Sequence, residues 1–400
     1  MKNPMVILLV IIFSVLLTGC WSKKELNDIA INMAVGIDKI GDQYLVSCQV
    51  VNPEGVAASK GGSGVAPVIL FQEKGDNISV VMRKITKIAP REIYWSHIRM
   101  LIIDEKVARE GLKKILDVFL RNHDIRSDFY IAISKDKKAE EILNVLTPFE
   151  KIPANRLFSS LNISHKDWAP TVAVTIDNLI STIISDGIHP VITGITIKGD
   201  KNSGGKIQNI QKIKPTAFLQ YTDNALFKND KLLGWINSQQ SKGYNFITNN
   251  IKGTVESIPC SNDEDNTENA IVEVIKSNTK IKGKVKDGRP LVTIKVHVTA
   301  IITEVQCKKL NLTDPKTIYQ LERKGEKKIL KLMKGALEVT QNKYKIDIFG
   351  FGDVIHRENP KYWSTVKKHW DQQFIHLPVN IKVHLHIKHT EGIDNTFFNE

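Results

Sequence analysis

Leu17-Thr18-Gly19-Cys20 closes an apolar run and directly precedes a polar chain, and that junction decides which part of the sequence is available to fold. Lys2 supplies a positive start, and Val6 to Leu17 is apolar except for Ser14. The run falls short of the ~20 residues that cross a bilayer and has the length of a secretory leader's apolar region. Small residues before a cysteine suit a lipoprotein-processing peptidase, whose site admits extended backbone with little side-chain bulk. Residues 1–19 therefore read as a lipoprotein signal peptide, with no A-x-A-like site competing. Cys20 becomes the first mature residue, an S-diacylglycerol cysteine with an acyl chain on its amine. Two or three acyl chains, at ~0.8 kcal/mol per buried methylene, hold a protein at a membrane where one chain does not.

About 380 residues follow the leader, enough for two or three domains with real cores. With 42% apolar and 25% charged residues, the composition is that of a globular protein. No later run of ~18 apolar residues exists. Lys2 is the only charge before Cys20, so the net charge of +13 becomes +12 in the mature chain. Nucleic acid, an anionic membrane surface and an acidic partner all suit such a balance; export argues against the first. The lysines are scattered and read mainly as solvated faces, with Lys282, Lys284 and Lys286 nearest to a cluster. A tethered basic body also gains from anionic headgroups.

Beyond Cys20, three cysteines remain: Cys48, Cys260 and Cys307. Their spacing is neither a disulfide framework nor a zinc pattern. Cys48 sits in an apolar strand-like run and reads as a small core hydrophobe. A Cys260–Cys307 bond stays open.

The expected fold class is α+β, as three mixed α/β domains in series: 20–200, a small middle domain 201–268, and 269–400. Strands are expected near 44–51, 68–73, 96–103 and 128–134, with helices near 78–88, 105–122, 137–146, 154–162 and 176–185. Gly199 to Gly205 and Asp263 to Asn269 are candidate seams, and short strands and turns are expected over 216–258. Further on, 270–277 and 279–285 read as strands separated at Ser277-Asn278, and residues 291–300 alternate strictly, giving one buried and one wet face. A helix is expected over 315–343, capped by Asp314 or Thr313 with Pro315 in its first turn. Gly325 and Gly335 each cost it about 1 kcal/mol, which packing must offset. The last domain is thus expected to be an antiparallel sheet against a long helix.

Catalytic and metal motifs find little support. Gly62-Ser63-Gly64 is followed by Val65 and lacks the second glycine of a nucleophile elbow, so it reads as a loop. Gly350-Phe351-Gly352 reads as a turn lacking the downstream glycine of a dinucleotide site. His384 and His386 share a strand side about 7 Å apart, but Lys382 and Lys388 beside them oppose a cation, which favours a solvated face. Trp95-Ser96-His97 and Trp168-Ala169-Pro170 read as core packing before ligand pockets. No catalytic residue, metal ligand or cofactor is assigned.

Gly19-Cys20-Trp21 with Glu25, followed by Ala34-Val35-Gly36-Ile37-Asp38, resembles the N-terminus of the Ger(x)C family of spore germination lipoproteins, the C subunits of nutrient germinant receptors. Leu232 to Asn237, Asp347 to Gly352, and Pro360 to Trp370 with the closing strand agree in order along nearly the whole chain. Ser22 departs from the aspartate common in that position. The resemblance implies a non-enzymatic subunit lipid-anchored through Cys20 to the outer face of the spore inner membrane. Its partners would be a larger membrane A subunit and an integral membrane B subunit, with three mixed α/β domains and no assigned catalytic residues. The residues alone also admit a substrate-binding lipoprotein of a transporter, although that class has two similar lobes and this series is unequal.

Overall fold

In the computed structural model, residues 28–57, 65–260, 268–308 and 310–388 are described. The leader, Cys20, the Gly62-Ser63-Gly64 loop and residues 261–267 of the acidic seam lie outside them. The fold is mixed α/β and built on two sheets.

The larger sheet has nine strands: β1 (Ile29–Ile40), β2 (Gln43–Val51), β3 (Val68–Gly75), β4 (Glu92–Tyr94), β5 (Met100–Asp104), β6 (Tyr130–Ser134), β7 (Val191–Gly199), β8 (Ala217–Lys228) and β9 (Lys231–Ile236). Their order is β3-β2-β1-β5-β6-β7-β8-β9, with β4 alongside the start of β1. The centre, β1-β5-β6-β7, is parallel, and antiparallel hairpins flank it on both sides. A parallel centre is covered on both faces, so its strands are apolar throughout rather than alternating; all of Met100–Asp104 is buried. Val35, Ile37, Leu101 and Ile103 pack with α1 (Ile78–Lys84), α3 (Lys113–Arg121) and α6 (Ile176–Ile184). Ala34, Met100 and Ile102 pack on the other side with α4 (Ala139–Leu143) and α5 (Pro153–Asp167). On the first of these faces, α2 (Glu105–Glu110) follows β5 and buries Val107 and Ala108, capped by the Asp104 carboxylate, which accepts from the Lys106 N–H.

The smaller sheet runs β10 (Thr254–Pro259), β11 (Asn269–Lys286), β12 (Arg289–Val305), β13 (Val379–Lys388). It packs with α7 (Ser238–Ile247), the long α8 (Pro315–Glu338), and the short α9 (Phe351–Glu358), α10 (Pro360–Val366) and α11 (Trp370–Ile375). The expected sheet with a long helix is present. One pairing differs from the antiparallel expectation: β13 lies parallel to β12, from Val292 opposite Val379 to Ile301 opposite Lys388. Alternation carries no strand direction, and the α8-to-α11 crossover supplies the long connection that a parallel pair needs. The strands expected as separate at Ser277-Asn278 form a single β11, because both halves pair with β12 across a bulge between Val274 and Lys276.

The stretch 201–268 is shared between the sheets: β8 and β9 extend the large one, and β10 edges the small one. Residues 245–247, expected as strand or turn, end α7, whose N-terminus is fixed by a reciprocal Asn237–Gln240 capping box. As expected, Asp314 caps α8, accepting from the Lys316 N–H at 2.9 Å. Gly325 answers its helix cost by proximity: a Cβ there would lie 2.3 Å from Leu385. Gly243 likewise lets α7 cross α8, since its Cβ would meet the Leu332 carbonyl at 2.1 Å.

Candidate functional site at the seam between the sheets

The segments that carry the family resemblance converge on buried polar contacts. Asp347 is fully buried in the turn before α9. Its carboxylate accepts from the N–H groups of Phe349, Gly350 and Gly352 at 2.9, 3.1 and 2.9 Å, and from the Trp370 indole at 2.9 Å. Burial pushes its pKa up to about 6, against the opposing bonds from Trp370, Gly352 and Phe349. Gly350 caps α9 with φ +76°, a left-handed conformation suited to glycine. Gly352 lies against the backbone of Gly187, where a Cβ would sit 2.6 Å from the neighbouring Cα. The expected turn at Gly350-Phe351-Gly352 is therefore the start of a helix docked on the other half of the chain.

The docking has a second layer. The His189 N–H donates to the Asp347 carbonyl at 2.8 Å. The Asn229 N–H donates to Nδ1 of His189, so the imidazole proton sits on Nε2, 3.0 Å from Asp371. Burial works against the Asp371 carboxylate, but bonds from His189 and Lys228 outweigh it and hold its pKa below the ordinary value. From β9, Gly234 makes room for the Tyr344 ring, 2.7 Å from a would-be Cβ. The Tyr344 hydroxyl donates to the Trp235 carbonyl at 2.8 Å and accepts from the Trp235 N–H at 3.1 Å.

Ala34-Val35-Gly36-Ile37-Asp38 does the same work inside the large sheet. Asp38 is fully buried and accepts from the N–H groups of Ala139 and Glu140 at 2.6 and 2.8 Å, at the start of α4. Burial raises its pKa to about 7; those two bonds oppose the shift, and the Asp104 and Glu140 charges add to it. A buried ion pair joins Lys242 of α7 to Glu256 of β10 at 3.0 Å, with the Lys242 ammonium 4.4 Å over the Trp168 ring.

Open clefts also lie among the described residues, two of them larger than 400 Å³. One of about 470 Å³ lies between α1, α3 and β4, with Trp95 and Arg121 in its lining; Asp117 holds Arg121 at 2.8 and 2.9 Å. The other, about 640 Å³, separates the start of α7 from the Lys327, Lys328, Lys331 and Lys334 side of α8. His384 stacks on His297 with ring centroids 5.2 Å apart, while His386 meets Glu322 at 3.3 Å. Among the described residues no three metal-ligating side chains gather, and no helix is long and apolar enough to cross a membrane. Cys260 and Cys307 form a disulfide, with Cα atoms 5.8 Å apart. Cys48 is free and buried, and burial pushes its thiol pKa up. Nothing in the sequence marked Lys242, Glu256 or His189.

The models of two germination families match the chain: "Spore germination protein N-terminal domain" over residues 22–197, and "Spore germination B3/GerAC like, C-terminal" over residues 222–391. Spore germination protein KC of Bacillus subtilis (strain 168) is 32% identical over 402 aligned residues, covering 98% of this chain and 97% of the relative. Spore germination protein B3 of the same organism is 23% identical, with 90% of each chain covered. GerQC of Bacillus cereus is 25% identical, with 92% of this chain and 94% of the relative covered. The crystal structure of GerBC superposes with a TM-score of 0.55 at 22% identity, over 88% of this chain and 96% of that one, which shows the shared fold. The chain belongs to the Ger(x)C family of spore germination proteins.

Proposed function

We propose that this chain is the lipid-anchored C subunit of a nutrient germinant receptor. Cys20 would hold it at the outer face of the spore inner membrane, beside a larger membrane A subunit and an integral membrane B subunit. The observation that carries the reading is the 32% identity to germination protein KC over 98% of the chain. The Leu17-Thr18-Gly19-Cys20 junction supports the anchor independently. The role is binding and scaffolding rather than catalysis: Asp38, Asp347 and Tyr344 are engaged with backbone at helix starts and at the seam. The proposed order of mature regions remains an N-terminal one (20–200), a middle one (201–268) and a C-terminal one (269–400).

The test is deletion of the gene in a strain with a single receptor set. It should abolish the response to one germinant class while exogenous dipicolinate still triggers germination. An unchanged response to every nutrient tested refutes the reading. Cys20→Ala should leave unprocessed precursor or release the chain from membranes, as read by fractionation and N-terminal mass. A wild-type membrane pool of the variant would refute Cys20 as the sole tether.

A further inference from the structure

The outer face of the small sheet is a basic surface that strand pairing assembles from distant sequence positions. Lys280, Lys295 and Lys382 stand directly opposite one another on β11, β12 and β13. One row away, Lys282 faces Thr293 and Asn380; beyond it come Lys284 and then Lys286 opposite Arg289. Lys276 and Lys388 extend the face in the other direction, past the stacked His297–His384 pair. All of these basic side chains are exposed, whereas the alternate Val292, Ile294, Val296 and Val298 are buried in the core.

Like charges directly opposite on neighbouring strands destabilise a sheet. No ion pair to a carboxylate offsets these lysines among the described residues. Nearby acids stand at the margins: Glu273 opposite Ile301, Asp287 in the hairpin turn, and Glu322, which reaches His386 from α8. A row of three ammonium groups is an arrangement that an opposing polyanion relieves.

We propose that this face rests on an anionic lipid bilayer. The face is long: β12 alone runs 17 residues, about 55 Å at ~3.3 Å per residue. Lysine is a compact point charge on a flexible stem, fitted to mobile headgroup phosphates rather than to the fixed bidentate recognition that arginine gives. The chain also begins beside a membrane under the reading above, since only seven residues lie between Cys20 and Asp28, at most about 29 Å of extended backbone. The proposal rests on that location, yet its test dispenses with the anchor.

The mature chain from residue 20, expressed without leader and carrying Cys20→Ser, is sedimented with vesicles of phosphatidylcholine alone or mixed with phosphatidylglycerol. It should bind only the anionic vesicles, and salt near 1 M should release it, since screening then acts within ~3 Å. Each ammonium near such a surface is worth about fivefold in affinity, so Lys280→Glu/Lys382→Glu should weaken binding at least twentyfold. That variant should melt no lower than wild type, because a Glu-Lys-Glu row replaces a repulsive one; Lys280→Gln/Lys382→Gln serves should it misfold. The control Lys327→Glu/Lys331→Glu, on exposed positions of α8 and off the strand face, should change binding less than threefold, because the per-charge gain falls off within a Debye length of the surface. Absence of vesicle binding overturns the proposal, as does equal loss in both double variants. Tight binding of soluble polyglutamate without vesicle binding also overturns it and assigns the face to an acidic protein segment. N-terminal acyl mass on the native chain tests the anchor separately.

Discussion

Reduction of the Cys260–Cys307 disulfide should destabilise the smaller sheet by an amount set by the loop that it closes. The bond joins the end of β10 to the segment after β12 across a sequence separation of 47 residues, enclosing the β11–β12 hairpin. Cross-linking a loop of that size removes unfolded-state entropy worth about 4 kcal/mol. In a cooperative unit of 150–250 residues, each kcal/mol moves the melting temperature by about 2–4 °C, so a fall of roughly 8–16 °C is expected. Calorimetry with and without a phosphine reductant measures the shift, and Cys260→Ser/Cys307→Ser should reproduce it with no further effect of reductant. Alkylation of the native protein should label neither cysteine, while Cys48 becomes reactive only on unfolding because it is buried. Formation of the bond also favours an oxidising compartment, which the proposed export would provide. An unchanged melting temperature after verified reduction would refute the loop argument; two alkylated thiols in native protein would refute the bond itself.

Lys242→Met leaves the Glu256 carboxylate buried and uncompensated, for an expected loss of about 3–5 kcal/mol by denaturant unfolding. The double change Lys242→Met/Glu256→Leu should recover most of that loss; failure to recover any would show that the pair matters for more than its charge. Asp38 and Asp347 have pKa values raised to about 7 and about 6, so both favour the folded state when protonated. Their contribution is fully present below about pH 4 and is lost as pH rises through 6 and 7. Asp38→Asn should therefore flatten the fall in melting temperature over that window, and an unaltered slope counts against the assignment. Gly36→Ala would set a Cβ 3.0 Å from Leu143 and 3.3 Å from Ala139, loosening α4 from β1. The expected cost is about 1–3 kcal/mol, read by chemical denaturation; a neutral result would mean that α4 yields without strain.

Local pattern carried the parts that depend on near neighbours. Strict alternation over residues 291–300 marked β12, and Asp314-Pro315 marked the start of α8, because period and capping are written within a few residues. Pairing is different. The parallel seating of β13 and the capture of β8 and β9 by the large sheet depend on partners tens of residues away. The same limit hid the basic face: Lys280, Lys295 and Lys382 look dispersed in sequence and become neighbours only through register. The family segments were legible as patterns, but their work was not. Asp347 and Gly352 earn their places against Trp370 and Gly187, which no spacing rule connects. The Cys260–Cys307 bond was open for the same reason.

The core beneath the small sheet does not stop at its own strands. Val191, Leu226 and Ile236 of the large sheet share it with Val292, Phe351 and Trp370. Dissecting this protein into its two family regions for separate expression would therefore slice through oily interior rather than between finished modules, and each half would carry a raw greasy wound. Biochemists wanting a tractable piece are better served by trimming only the ends.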